Sequence, residues 1–156
     1  MRAMRRSERK LDETAIKDVL RRGEYAVLSV VLANARPYAV PISYVYDEET
    51  DAVYMHGALE GQKIDAISAD ANVCLTVVTD AKVLPDKFTT KYRSVNLFGT
   101  IELARDDDQK RRALLLLVRK YSADFEEQGR RHIDSMLDRT AVLKITIEEI
   151  FGKGRI

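Results

Sequence analysis

The chain has 156 residues, 46% of them hydrophobic and 33% charged, with a formal net charge of +1. That length reads as one domain, able to bury roughly two-thirds of its unfolded surface without disulfide or metal staples, and the composition excludes a disordered chain. Basic residues are spread along the sequence rather than gathered in a strip, so charge gives no sign of a nucleic-acid partner.

The opening stretch, "MRAMRRSERK", is basic and lacks the apolar segment of a secretory signal. No run of about 18 apolar residues follows, so the expected protein is cytoplasmic, without membrane contact. Residues 1–11 are expected to form a loosely ordered basic arm of the single domain 1–156. Asp12 can cap a helix over 13–22, with Ile16, Val19 and Leu20 on one face and Gly23 ending it.

"YAVLSVVLAN" (25–34) carries β-branched residues in both phases of a period of two and reads as a strand covered on both sides. Asn34-Ala35-Arg36 turns the chain into "PYAVPISYVYD" (37–47), completing a hairpin. Pro41 cannot donate to a ladder, so it marks an edge, a bulge or a place where something else meets the backbone. One phase of this strand is large (Tyr38, Val40, Ile42, Tyr44, Tyr46) and suits a core; the other (Ala39, Pro41, Ser43, Val45) is small. That small face suits a planar ring, a second subunit or a close neighbouring strand.

A turn at "DEETD" leads to a strand over 52–56 and a helix over 59–68 with Leu59, Ile64 and Ile67 buried. "NVCLTVVTD" (72–80) is a strand in which the sole cysteine, Cys74, reads as a small buried hydrophobe. A loop over 81–90 precedes a long strand over 91–103, with a bulge at Gly99. A helix over 106–122 has acidic residues first and basic ones later, matching the helix dipole. Its leucines 114–117 imply burial around much of its circumference. A helical piece near 131–137 and a strand over 141–147 close the chain. The order argues for an antiparallel sheet curled into a barrel with helices at its rim. Neither regular βαβ alternation nor a G-x-G-x-x-G stretch is present.

"HGALEGQK" (56–63) joins strand to helix through two glycines. It is either a plain connection or an anion site, with amides at a helix start and Lys63 adding a full charge. Arg93 lies in phase with Val95, Leu97 and Ile101, so it needs an anionic partner, a protein carboxylate or a bound phosphate. His56, His132 and Cys74 lack metal-ligand spacing, and no G-x-S-x-G supports a serine triad.

Four pieces in order carry a resemblance: "YAVPISYVYDEETDAVYMHGALEGQK", "KYRSVNLFGTIEL", the helix after Asp106, and "RTAVLKITIEEIFGKGR". From about residue 12 onward the chain resembles the flavin-binding split-barrel proteins related to pyridoxamine-phosphate oxidase, in particular their nitroimidazole-resistance branch. The resemblance implies a six-stranded barrel that dimerises with FMN in two interface clefts. It places Val40, Pro41, Ile42, Ser43 and Tyr44 against the flavin ring. Met55, His56, Gly57, Ala58, Gly61 and Lys63 would serve the ribityl chain and phosphate. Tyr92, Arg93, Ser94, Val95, Gly152 and Lys153 would close the site. Ala58 departs from the hydroxyl residue common at its position.

The activity so implied is that of an FMN-dependent oxidoreductase using a small electron donor and reducing a small acceptor such as a nitroaromatic. His56 is its candidate proton donor. The alternative is a flavin or haem carrier or sensor on the same barrel, with His56 or His132 as axial ligand.

Overall fold

A computed structural model describes residues 5–155. The chain runs through α1 (Glu13–Arg22), β1 (Ala26–Val31), β2 (Pro37–Ile42), β3 (Tyr44–Asp47), β4 (Ala52–Gly57), α2 (Gln62–Ala69), β5 (Asn72–Leu84) and β6 (Thr89–Leu103). It continues through α3 (Asp107–Tyr121), α4 (Glu126–Met136) and β7 (Ala141–Arg155). The strands pair antiparallel in a seven-stranded sheet, ordered β2-β1-β5-β6-β7-β4-β3.

The two edge strands, β2 and β3, are consecutive in the chain and separated only by Ser43. The sheet therefore curls until its edges meet at one residue, while the ladder stays open. This is the expected mainly β split barrel with flanking helices. It has seven strands rather than six because 37–47 breaks in two. The alternating pattern of that stretch runs through the junction without a signal, and the break is held from far along the chain. The Tyr121 hydroxyl accepts the Tyr44 N–H at 3.0 Å and shares its proton between the carbonyls of Glu24 at 2.7 Å and Tyr44 at 2.9 Å.

Inward rows of the sheet make the main core, with Leu28, Leu75, Leu97 and Ile145 fully buried and Val19 and Leu20 added by α1. Asp12 caps α1 as expected, accepting the Ala15 N–H at 2.8 Å. Gly99 sits at a register shift in β6, and a Cβ there would lie 2.0 Å from the Thr146 carbonyl oxygen. A second core forms where α3 and α4, an antiparallel hairpin, cover β3, β4 and the start of β7, joining Val45, Tyr54 and Val142 to Leu114, Leu117 and Ile133. Buried Lys110 spans that hairpin, its Nζ donating to the Leu137 carbonyl at 2.6 Å.

The outer rows of β2, β1, β5 and β6 differ from expectation. Val27 and Ser29 are only half-buried and Val31 is 42% exposed, so β1 is covered on one side within a single chain. Residues 81–90 are not a loop: β5 and β6 extend through them as a hairpin with a short turn at Pro85–Lys87. β7 runs on to Arg155, and α2 begins at Gln62, leaving Leu59 53% exposed ahead of it. Of the expected basic arm, residues 1–4 lie outside the described residues. Lys10 bridges to Lys153, and the N–H of buried Leu11 donates to the Gly152 carbonyl at 3.0 Å. Among the described residues no helix is long and apolar enough to cross a membrane.

Candidate functional site

β4 ends in His56-Gly57, and Gly61 forms the N-cap of α2 with φ +124°, a region glycine enters without steric cost. No side chain caps this helix start, so its first amides have no side-chain acceptor. Lys63 folds back over Gly57: a Cβ built on that glycine would stand 2.9 Å from Lys63 Nζ. Burial alone lowers the Lys63 pKa, with no carboxylate opposing it. His56 keeps an accessible edge, yet its pKa is lowered, first by desolvation and then by the Lys63 charge. A neutral imidazole beside an unneutralised ammonium is the electrostatic signature of this turn.

His56 pairs in register with Val142 and so shares the outer face of β4 with Tyr54 and Ala52, the face that α3 and α4 cover. Beside that covered patch lies a cavity of about 510 Å³ lined by Ser43, His56, Gly57 and Ala58 on one side. The helices supply the other side, α3 through Leu114, Leu117, Val118 and Tyr121, and α4 through Gly129, His132, Ile133 and Met136. Each set follows the i, i+3, i+4, i+7 spacing of one helical face.

Four sequence-predicted residues, Ser43, His56, Gly57 and Ala58, thus meet in one cavity, with Lys63 beside Gly57. The side chains of Ile42, Tyr44, Met55 and Val95 are buried in the core, so these four positions offer a ligand only backbone, while half-buried Val40 packs against the core. Pro41 is exposed on edge strand β2, opposite Val27. Ser94 and Lys153 are register partners on the outer face of β6 and β7, with Ser94 Oγ donating to the Lys153 carbonyl at 3.3 Å. Tyr92 and Arg93 line a separate cavity of about 240 Å³ with Arg22, Asp80, Lys91 and Arg155.

Of the two partners open to Arg93, the structure supplies protein carboxylates, Asp18 at 3.3 Å and Asp80 at 3.9 Å. Neither the Tyr92–Val95 segment nor Lys153 lines the cavity at His56, and Ser94 pairs with Lys153 near the end of β7 whereas His56 pairs with Val142 at its start. Sequence reasoning missed the helical half of the cavity, including Tyr121, Met136, Arg139 and Thr140. Its only signal was a helical spacing that reads equally well as core.

A family model described as pyridoxamine 5′-phosphate oxidase matches residues 12–154. Among solved structures, the flavocytochrome Anf3 from Azotobacter vinelandii is 25% identical with a TM-score of 0.83, over 99% of this chain and 72% of that one. The FAD and haem binding protein from Mycobacterium smegmatis is 23% identical with a TM-score of 0.79, over 92% and 71%. A proposed 5-nitroimidazole antibiotic resistance protein from Bacteroides thetaiotaomicron is 23% identical with a TM-score of 0.77, over 93% and 86%. No curated protein matches the chain.

Proposed function

From the premise that this chain belongs to the pyridoxamine 5′-phosphate oxidase family, we propose that it binds FMN and serves as an oxidoreductase for a small acceptor such as a nitroaromatic. One observation carries the reading. Lys63, desolvated and without a carboxylate, lies over Gly57 at an uncapped helix start, the chemistry of a phosphate site.

The residues present fit the cofactor. Lys63 and the amides after Gly61 would hold the phosphate. The exposed small edge of Ala39, Pro41 and Ser43 gives a ring a flat surface. When bound, FMN supplies an electron carrier that accepts a hydride from a nicotinamide or similar donor and delivers it to the acceptor. His56, held neutral, would keep a ring N–H to orient the acceptor by hydrogen bonding. Ser94 and Lys153 would close the site from a second copy, since they pair near the end of β7 while His56 pairs with Val142 at its start.

A visible spectrum during FMN titration tests the reading. A resolved flavin band saturating at one FMN per chain supports it. The Lys63→Gln variant should bind FMN about tenfold or more weakly, the cost of losing a charge-assisted phosphate contact. A protein that never acquires the flavin band sinks the proposal. His56→Ala should keep FMN and lose turnover; undiminished turnover removes the catalytic role.

A second reading, a haem carrier or sensor, is favoured by a different observation: His56 and His132 line the same cavity. Adding hemin would then give a Soret band that His56→Ala or His132→Ala alters. An unchanged band in both variants rejects these ligands.

A further inference from the structure

We propose that the cavity beneath the α3–α4 hairpin binds a flat, apolar molecule carrying a carboxylate, with Arg139 holding the carboxylate. This deepens the flavin reading by naming the class of acceptor that would lie beside His56, and it rests on that reading only for the acceptor's role.

At about 510 Å³ the cavity has room for a molecule of one or two rings. Leu117 and Val118 from α3 and Ile133 and Met136 from α4 make its apolar walls. Two of its four hydroxyls are already engaged: Tyr121 with the backbone of residues 24 and 44, and Thr140 with the Met136 carbonyl. The hydroxyls of Ser43 and Ser122 are left to a ligand together with the basic groups of His56, His132 and Arg139, and no Asp or Glu lines the cavity.

Arg139 differs from the other arginines of its neighbourhood. Arg111, Arg112, Arg119, Arg130 and Arg131 on the same helical hairpin each meet a carboxylate. Arg139 meets none among the described residues, and it is the arginine that lines the cavity. A planar guanidinium without a partner, at an apolar and acid-free cavity, offers a two-pronged fit to a carboxylate. A ring against the helical walls and an anionic group on Arg139 would use both features at once.

The test is isothermal titration calorimetry with 2-naphthoate and its neutral isostere 2-naphthamide, on the protein with and without FMN. The acid should saturate both forms and bind about tenfold tighter than the amide, the difference being one charged pair. Arg139→Gln should remove that advantage and leave the amide unaffected, while Arg139→Lys restores part of it. Equal affinities for acid and amide, or an Arg139→Gln variant that still prefers the acid, overturn the proposal. Mutual displacement of naphthoate and FMN also overturns it, by assigning the cavity to the flavin. FMN-loaded protein that ignores naphthoate defeats this proposal alone. Naphthoate binding by a chain that never takes FMN supports it and defeats the flavin reading.

Discussion

Lys120 places its ammonium where no hydrogen-bond acceptor among the described residues reaches it, 3.8 Å from the centroid of the Tyr44 ring and 5.4 Å from that of Tyr121. Ring faces replace only part of the lost hydration, so burial lowers its pKa from 10.5 to about 8. The unfolded chain then binds more protons than the native one between those values, and stability rises with pH across that window. Below about pH 8 both states hold the proton and the full penalty is present. Urea denaturation at pH 8 and pH 9 should show wild type gaining about 1 kcal/mol relative to Lys120→Met; parallel curves would put the ammonium in water.

His56 obeys the same sign. Its depressed pKa means that the unfolded imidazole protonates first, so stability falls as pH drops below the ordinary histidine value. Lys63→Gln removes one of the two depressing causes, and an NMR titration of the His56 ring should move upward in pH. No movement would separate the two side chains in solution. The pair was legible in the sequence because Gly57 and Gly61 punctuate a strand-to-helix turn. Tyr121 was not, because its hydroxyl serves backbone 77 positions away.

Elements were easiest to read where their signal is local. Asp12 and Asp106 cap α1 and α3 with side-chain oxygens, and Gly99 marks its bulge. Boundaries set by partners were harder. Residues 81–90 carry Pro85 and Asp86 at a turn, and pair as strand only because β5 and β6 face each other beyond the core. The exposed Glu148 and Glu149 hid the outer half of β7, which is held by its ladder to β6. The start of α4 was obscured by Gly129, a poor helix former. Its reason is packing: a Cβ there would lie 2.6 Å from one Val118 methyl carbon and 2.9 Å from the other. Gly129→Ala should therefore destabilise the protein by about 1–3 kcal/mol in chemical denaturation, despite alanine's better helix propensity. Adding Val118→Ala should return part of that loss, since the two residues share one contact. A single variant as stable as wild type would show that the hairpin repacks freely.

At the scale of the whole molecule, the bare outer face is the feature a single chain does not explain. Register pairing places Val27, Thr76, Asn96 and Phe151 in one outward row and Val78, Ser94 and Lys153 in the next. Around them Val31, Val78 and Tyr25 are 42%, 52% and 60% exposed, and the β5–β6 hairpin ends in Phe88, 98% exposed. Exposed apolar residues so grouped mark an interaction surface more often than a solvated one. Edge-to-edge association is blunted on β2, because Pro37 and Pro41 have no N–H to donate. Face-to-face association is left, and a stable interface needs about 800 Å² from each partner, a small share of the 9804 Å² this chain exposes. Light scattering should therefore give twice the 17.8 kDa chain mass. Val78→Asp buries a charge in that interface and should shift the mass toward the single chain. FMN affinity should fall in step, because in the proposed dimer Ser94 and Lys153 would reach the flavin only from the second copy. A single-chain mass for the wild type would remove the partner from the site. A Val78→Asp variant that becomes monomeric yet binds FMN as tightly as before would confine the cofactor to the turn around Lys63.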